Sequence, residues 1–175
     1  VCSSDLFANA YGEWSFYVAG TTYHFSEEKI KMLIDYYLDG IYKQMIYGVY
    51  EDVGVRNRDI TIKKPDFRPK GTQEIERLFV STTYRRRELE EIIKLRKGEI
   101  KPSQSFAKFF WQTEHFVFQR PTFYTSVRMF STRNKNMEEP YNGPGKPTHH
   151  RADGTNYLLL KGDEYFNIWP VYDWQ

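Results

Sequence analysis

Cysteine is almost missing from this sequence. Cys2 is the one thiol among 175 residues, so no internal disulfide can staple the fold. The thiol count alone does not fix the compartment. Net charge is scarce too: 25 Lys and Arg against 23 Asp and Glu leave +2. That is too little for the broad basic surface that nucleic acid demands. The basic run Arg85–Arg87 is followed at once by Glu88, Glu90 and Glu91, the pattern of a solvated helix face. No apolar run approaches the roughly 18 residues of a membrane span. There is no Gly-rich phosphate loop, no Gly-x-Ser-x-Gly elbow and no Cys–His pair. His149 and His150 with Asp153 lack zinc spacing, and adjacent residues chelate one ion poorly. A surface loop fits them better, and no metal site is assigned.

A leader and an initiator methionine are also missing. Val1–Leu6 reads as translated adapter DNA, to be kept out of fold reasoning. The aromatic run before Gln175 does not wind down into polar residues. Native sequence is therefore expected from Phe7 and beyond Gln175.

Aromatic residues are abundant: 14 Tyr, 13 Phe and 4 Trp, or 18% of the chain. Tyr and Trp combine an apolar body with a polar tip, which suits wet, ring-shaped ligands such as sugars and equally suits an aromatic core.

The first half reads as helices. Residues 7–20 form one, with Tyr11 and Trp14 on a face. Ser26 caps a second, with Glu27 and Glu28 favourably placed in its first turn. Ile30, Leu33, Ile34, Tyr37, Leu38, Ile41 and Met45 carry the helical period, and Gly48 is read as its stop. Residues 51–71 form a long connection. Helices then span about 72–81 and 84–97, the latter closed by Gly98. After a linker at 99–104 come β-rich stretches at 105–112, 115–119, 123–133, 155–161 and 164–169, with a polar loop at 134–154. Helices followed by strands predict α+β organisation in two domains, 7–98 and 105–175, and not an alternating fold.

Several strings carry more specific information. Val127-Arg-Met-Phe-Ser-Thr-Arg133 precedes Glu138, Asn142 and Gly145; Asp153-Gly-Thr-Asn156 and Gly162-Asp-Glu-Tyr-Phe-Asn-Ile-Trp-Pro-Val-Tyr-Asp-Trp174 follow. Upstream lie Phe110-Trp-Gln112, Arg120-Pro121, the run Tyr47–Asp52 leading to Arg58, and Tyr11-Gly12. Together they resemble polysaccharide lyase family 8, which takes in chondroitin, hyaluronate and xanthan lyases. The likeness is strongest over 127–174.

The resemblance implies the end of an α/α toroid followed by the start of an antiparallel β super-sandwich. It implies β-elimination on a uronate-containing acidic glycan. A base removes the C5 proton, the uronate carboxylate is neutralised, and the C4 oxygen leaves protonated. Carried over by motif, Tyr11 is the base and acid, Arg58 its electrostatic partner, and Glu138 the acid that orders the charges. Trp111, Gln112, Lys63 and Asn142 stand at substrate-binding positions. No cofactor or metal is implied, and the expected protein is a secreted or periplasmic monomer. Two departures matter. The family has a second arginine where this chain has Ile62 beside Lys63, and Lys is a poor stand-in for a bidentate guanidinium. The family's Asn and His lie upstream of Tyr11, where this chain has the adapter-like leader, so the piece by itself is expected to be inactive. A non-catalytic glycan-binding relative is the alternative, and a domain whose aromatics are all core is a third reading.

Overall fold

The computed structural model describes residues 2–55, 69–136 and 152–165, with side-chain surroundings from Ala8 onward. Helix α1 is Cys2–Tyr17, α2 Glu27–Asp35, α3 Gln73–Ser81 and α4 Arg86–Arg96. Strands β1 (Met45–Ile46) and β2 (Tyr50–Glu51) form a small hairpin; β3 (Phe106–Phe110), β4 (His115–Arg120), β5 (Phe123–Arg128) and β6 (Thr155–Leu159) form an antiparallel meander in that order. The α+β organisation is as expected.

Local chemistry sets the element ends. Ser26 caps α2, its hydroxyl accepting from the Lys29 amide at 3.4 Å. Gly98, at φ 71°, ends α4 in the left-handed conformation. There the Gly98 amide bonds the Leu95 carbonyl and the Glu99 amide the Lys94 carbonyl, a double closure typical of glycine-terminated helices.

Three expectations need correction. Helix α1 begins at Cys2, inside the adapter-like residues, and ends at Tyr17 rather than Gly20. The second helix does not run to Gly48. Regular α-helix stops at Asp35, a wider π-helical segment spans Tyr36–Ile41 and a 3₁₀ turn spans Tyr42–Gln44. Gly48 instead forms the β1–β2 turn, where Tyr47 and Gly48 both have positive φ (57° and 72°) and the Val49 amide bonds the Ile46 carbonyl. A Cβ on Gly48 would lie 2.8 Å from Ile92 Cδ1. Finally, β5 stops at Arg128, and Glu164 and Tyr165 lie in a turn rather than a strand; the rest of the 164–169 stretch falls outside the described residues.

The helices and the sheet share one core. Ile34, Tyr37, Ile75, Leu78 and Leu89 from the helical side join Val53, Val117, Tyr124 and Leu159 in a single buried cluster. Gly12 lets α1 approach closely, since a Cβ there would lie 3.3 Å from the Tyr37 hydroxyl.

The inner sheet face meets the segment 45–55. The Tyr47 amide donates to Gln119 Oε1 at 3.0 Å, and the Tyr47 hydroxyl donates to the Leu160 carbonyl at 2.9 Å. Arg96 of α4 reaches the Gly48 carbonyl at 3.0 Å. Residues 45–55 are thus a bracket between helices and sheet.

Candidate functional site

Tyr11 lies on α1, half-buried, with its ring stacked on Phe25 at 4.4 Å and nearly parallel, at 8°. Phe25 also lines, with Thr22, His24 and Ser81, an open cleft of about 520 Å³. On another face of α1, Asn9, Gly12 and Glu13 border a second cleft of about 290 Å³, together with Lys70 and Arg77. The Tyr37 hydroxyl donates to Asn9 Oδ1 at 3.1 Å, and Arg77 pairs with Glu13 at 2.9 Å, so the helix carrying Tyr11 is tied along that face by two successive turns.

Trp111 and Gln112 occupy the β3–β4 turn, both exposed among the described residues, Trp111 at 58%. Tyr11 is therefore placed on the helical layer, and Trp111 with Gln112 at one end of the sheet. Arg58, Lys63, Glu138 and Asn142 lie outside the described residues.

The structure reveals two charged tethers that sequence reading did not single out. In the first, Asp52 is fully buried directly after β2. Its carboxylate accepts from the Tyr124 hydroxyl at 2.8 Å, from the Gly54 amide at 2.8 Å, and from His115 Nε2 at 3.1 Å. The ring proton is assigned to Nε2 because an ionised carboxylate can only accept. Burial works to raise the Asp52 carboxyl, but the hydrogen bond and charge of His115, with Ser126 and Gly54, outweigh it and hold it below the ordinary carboxylate range. Burial, then the Asp52 charge, pushes the Tyr124 phenol well above its usual value, so Tyr124 stays a donor.

In the second, Glu114 adopts φ 49° in the β3–β4 turn. Its carboxylate accepts from the Ser131 hydroxyl at 2.5 Å and from Arg133 Nη2. The Ser131 bond, with Arg133, lowers the Glu114 carboxyl. Arg128 stands opposite His115 in the β4–β5 register. Burial lowers its guanidinium pKa against the favourable charges of Asp52 and Glu114, and its Nη1 finds no hydrogen-bond partner among the described residues.

These tethers hold the roots of two segments. Asp52 fixes the 3₁₀ turn Val53–Val55 from which the chain enters 56–68, and Glu114 fixes Ser131–Arg133, from which it enters 137–151. His115 was findable in part: it alternates with Val117 and Gln119 on an inward strand face. Its partner Asp52, 63 positions away, was not. Among the described residues no group of three His, Cys, Asp or Glu is placed to hold a metal ion, and no helix is long and apolar enough to cross a membrane.

Comparison with known proteins gives a family context. Residues 105–175 match the model of the super-sandwich domain of polysaccharide lyase family 8. The chain is 29% identical over 164 residues to a chondroitinase-AC from Pedobacter heparinus, covering 90% of this chain and 23% of that protein. A chondroitinase AC lyase solved in complexes with oligosaccharides superposes with a TM-score of 0.81 at 26% identity, covering 98% of this chain and 26% of the other. The chain thus spans about a quarter of the length of the relatives it matches.

Proposed function

From a chain that belongs to polysaccharide lyase family 8, we propose the region of a secreted bacterial lyase where the helical catalytic domain (7–98) passes into the β-sandwich (105–175). The lyase cleaves a uronate-containing acidic glycan, of the chondroitin or hyaluronan kind, by β-elimination. The observation that carries this reading is the superposition over nearly the whole chain, on helices and sheet alike, combined with the family match over the sheet.

In this reading Tyr11 removes the C5 proton and returns one to the C4 oxygen. An ordinary phenol, with a pKa near 10, is a poor base at neutral pH, so it requires a neighbouring cation. Arg58 supplies that charge, with Lys63 in support, and Glu138 orders the cations. Trp111 is exposed and so free to stack on a sugar ring, with Gln112 and Asn142 bonding hydroxyls. The reaction as read uses no cofactor.

The test is to sequence across both ends of the reading frame, express the complete protein and assay chondroitin and hyaluronan for ultraviolet-absorbing unsaturated uronate. Product formation that is lost in Tyr11→Phe supports the reading. Glycan binding without product, in a frame whose upstream Asn and His are absent, would instead establish a non-catalytic binding relative. Ile62, at the position of the family's second arginine, is the residue that favours that alternative.

A further inference from the structure

The Asp52 cluster sits where the described chain enters the segment carrying Arg58. Gly54 lies directly over the cluster: a Cβ there would meet Asp52 Oδ1 at 3.3 Å, His115 Nε2 at 3.3 Å and Ser126 Oγ at 3.5 Å. Val53, beside it, is buried in the shared core. The other end of the segment returns to the same bracket. The Lys70 amide bonds the Val49 carbonyl at 2.9 Å, and the Lys70 ammonium pairs with Glu51. Both roots are therefore attached to residues 49–55, and that stretch is registered on the sheet through Asp52.

We propose that His115 is a positioning residue. Through Asp52, and together with Tyr124, it clamps the Val53–Val55 turn to β4 and β5, so that the chain leaves Val55 toward Arg58 from one fixed place. The proposal rests on the lyase reading for its catalytic consequence and on the structure for the clamp.

Three features set this cluster apart from ordinary core packing. A buried carboxylate costs free energy unless its lone pairs are met, and an apolar side chain would fill the space at lower cost. All three donors to Asp52 come from a different element: the turn itself, β4 and β5. The bonds are directional, so they set where the turn lies on the sheet, which apolar contact alone leaves loose.

The experiment has two arms. In the 175-residue chain, trypsin cleavage at Arg56, Arg58 and Lys63 is timed against cleavage at Arg85–Arg87. His115→Leu removes the donor to Asp52 and is expected to raise that ratio about tenfold through local opening. His115→Gln keeps a donor at similar reach and is expected to restore it. Tyr124→Phe, which retains the ring and removes one hydrogen bond, should shift the ratio in the same direction by a smaller factor, and it serves if His115→Leu does not fold. In the complete lyase, His115→Leu should lower kcat by about 100-fold, the cost of a small misplacement at the reacting centre, with KM little changed and His115→Gln recovering most of the rate. Equal acceleration of cleavage at both places would mean general loosening and would overturn the clamp. Selective cleavage with unchanged kcat would overturn the positioning role. If the complete wild-type protein forms no unsaturated product, the lyase reading fails and the catalytic consequence falls with it; the cleavage ratio still decides the clamp.

Discussion

The two faces of the four-stranded sheet reverse the usual division of labour. The inner face, packed on the helices and the bracket, carries Lys108, His115, Gln119, Ser126 and Arg128 among its apolar residues. The outer face carries Phe109, Phe116, Phe118, Phe123, Val127 and Leu158. His115 and Ser126 are fully buried, whereas Leu158 is 62% exposed. Most buried polar groups in folded proteins are hydrogen-bonded, and here three of these side chains reach across to the other half of the molecule. Gln119 takes the Tyr47 amide, Lys108 donates to the Asp39 carbonyl and His115 holds Asp52. The inner face therefore fixes register, while the outer face is an apolar surface of the kind that sandwich folds cover with a second sheet. This contrast teaches that the join between helices and sheet is specified by hydrogen bonds, with apolar burial supplying the adhesion.

The comparison breaks most sharply at Asp52. Asp52→Ala leaves Tyr124, His115 and the Gly54 amide facing an apolar gap, and is expected to cost about 3–5 kcal/mol in urea unfolding. A loss under 1 kcal/mol, on the scale of a surface substitution, would mean the cluster is not closed to water. The next largest effect belongs to the bracket itself. Gly48→Ala must hold φ 72° with its Cβ 2.8 Å from Ile92 Cδ1, so a loss of about 1–3 kcal/mol is expected in the same measurement. Tolerance of alanine there would show that the hairpin turn can relax away from α4.

Acid sharpens the contrast further. The Asp52 carboxyl titrates below its ordinary value of 3.8 in the folded chain. Its contribution is therefore present above the unfolded value and is lost as pH falls through the folded one, so the window lies below 3.8. Asp52→Asn removes this term, and the stability of the variant should fall less steeply than wild type on that acid limb. Parallel limbs would contradict an ionised Asp52 in the native state.

How much of this was legible beforehand depends on the reach of each interaction. Ser26 and Gly98 are local devices, and both ends were read correctly. The break in α2 was invisible because Tyr37, Leu38, Ile41 and Met45 continue the apolar period through the π and 3₁₀ segments, keeping one face on the core. Gly48 misled because a left-handed glycine serves a helix stop and a hairpin turn equally well. The four strands of the meander were found with their ends uncertain, since Met129 and Phe130 look like strand residues but follow the end of β5, whereas the β1–β2 hairpin was not anticipated. Of the candidate site, Tyr11 lies on a helix and Trp111 at an exposed turn, while Arg58, Lys63, Glu138 and Asn142 lie outside the described residues. Asp52, His115 and Tyr124 became a unit only when strands far apart in sequence paired, and no spacing rule encodes that.

The smallest expected effect tests the outer face. Leu158 points away from the helices, and Thr125, its cross-strand partner on β5, keeps that patch from being wholly apolar. A residue already in water loses little when made charged, so Leu158→Lys should change unfolding stability by no more than about 0.5 kcal/mol. Its effect should appear instead in light scattering. A sheet edge and face that expose Leu158 and Leu160 invite self-association, and an edge lysine opposes it. Reduced scattering at unchanged stability would confirm that the apolar face is outside the fold of these 175 residues. A large loss of stability would mean that Leu158 is covered in solution, and that the two faces differ less than the described residues indicate.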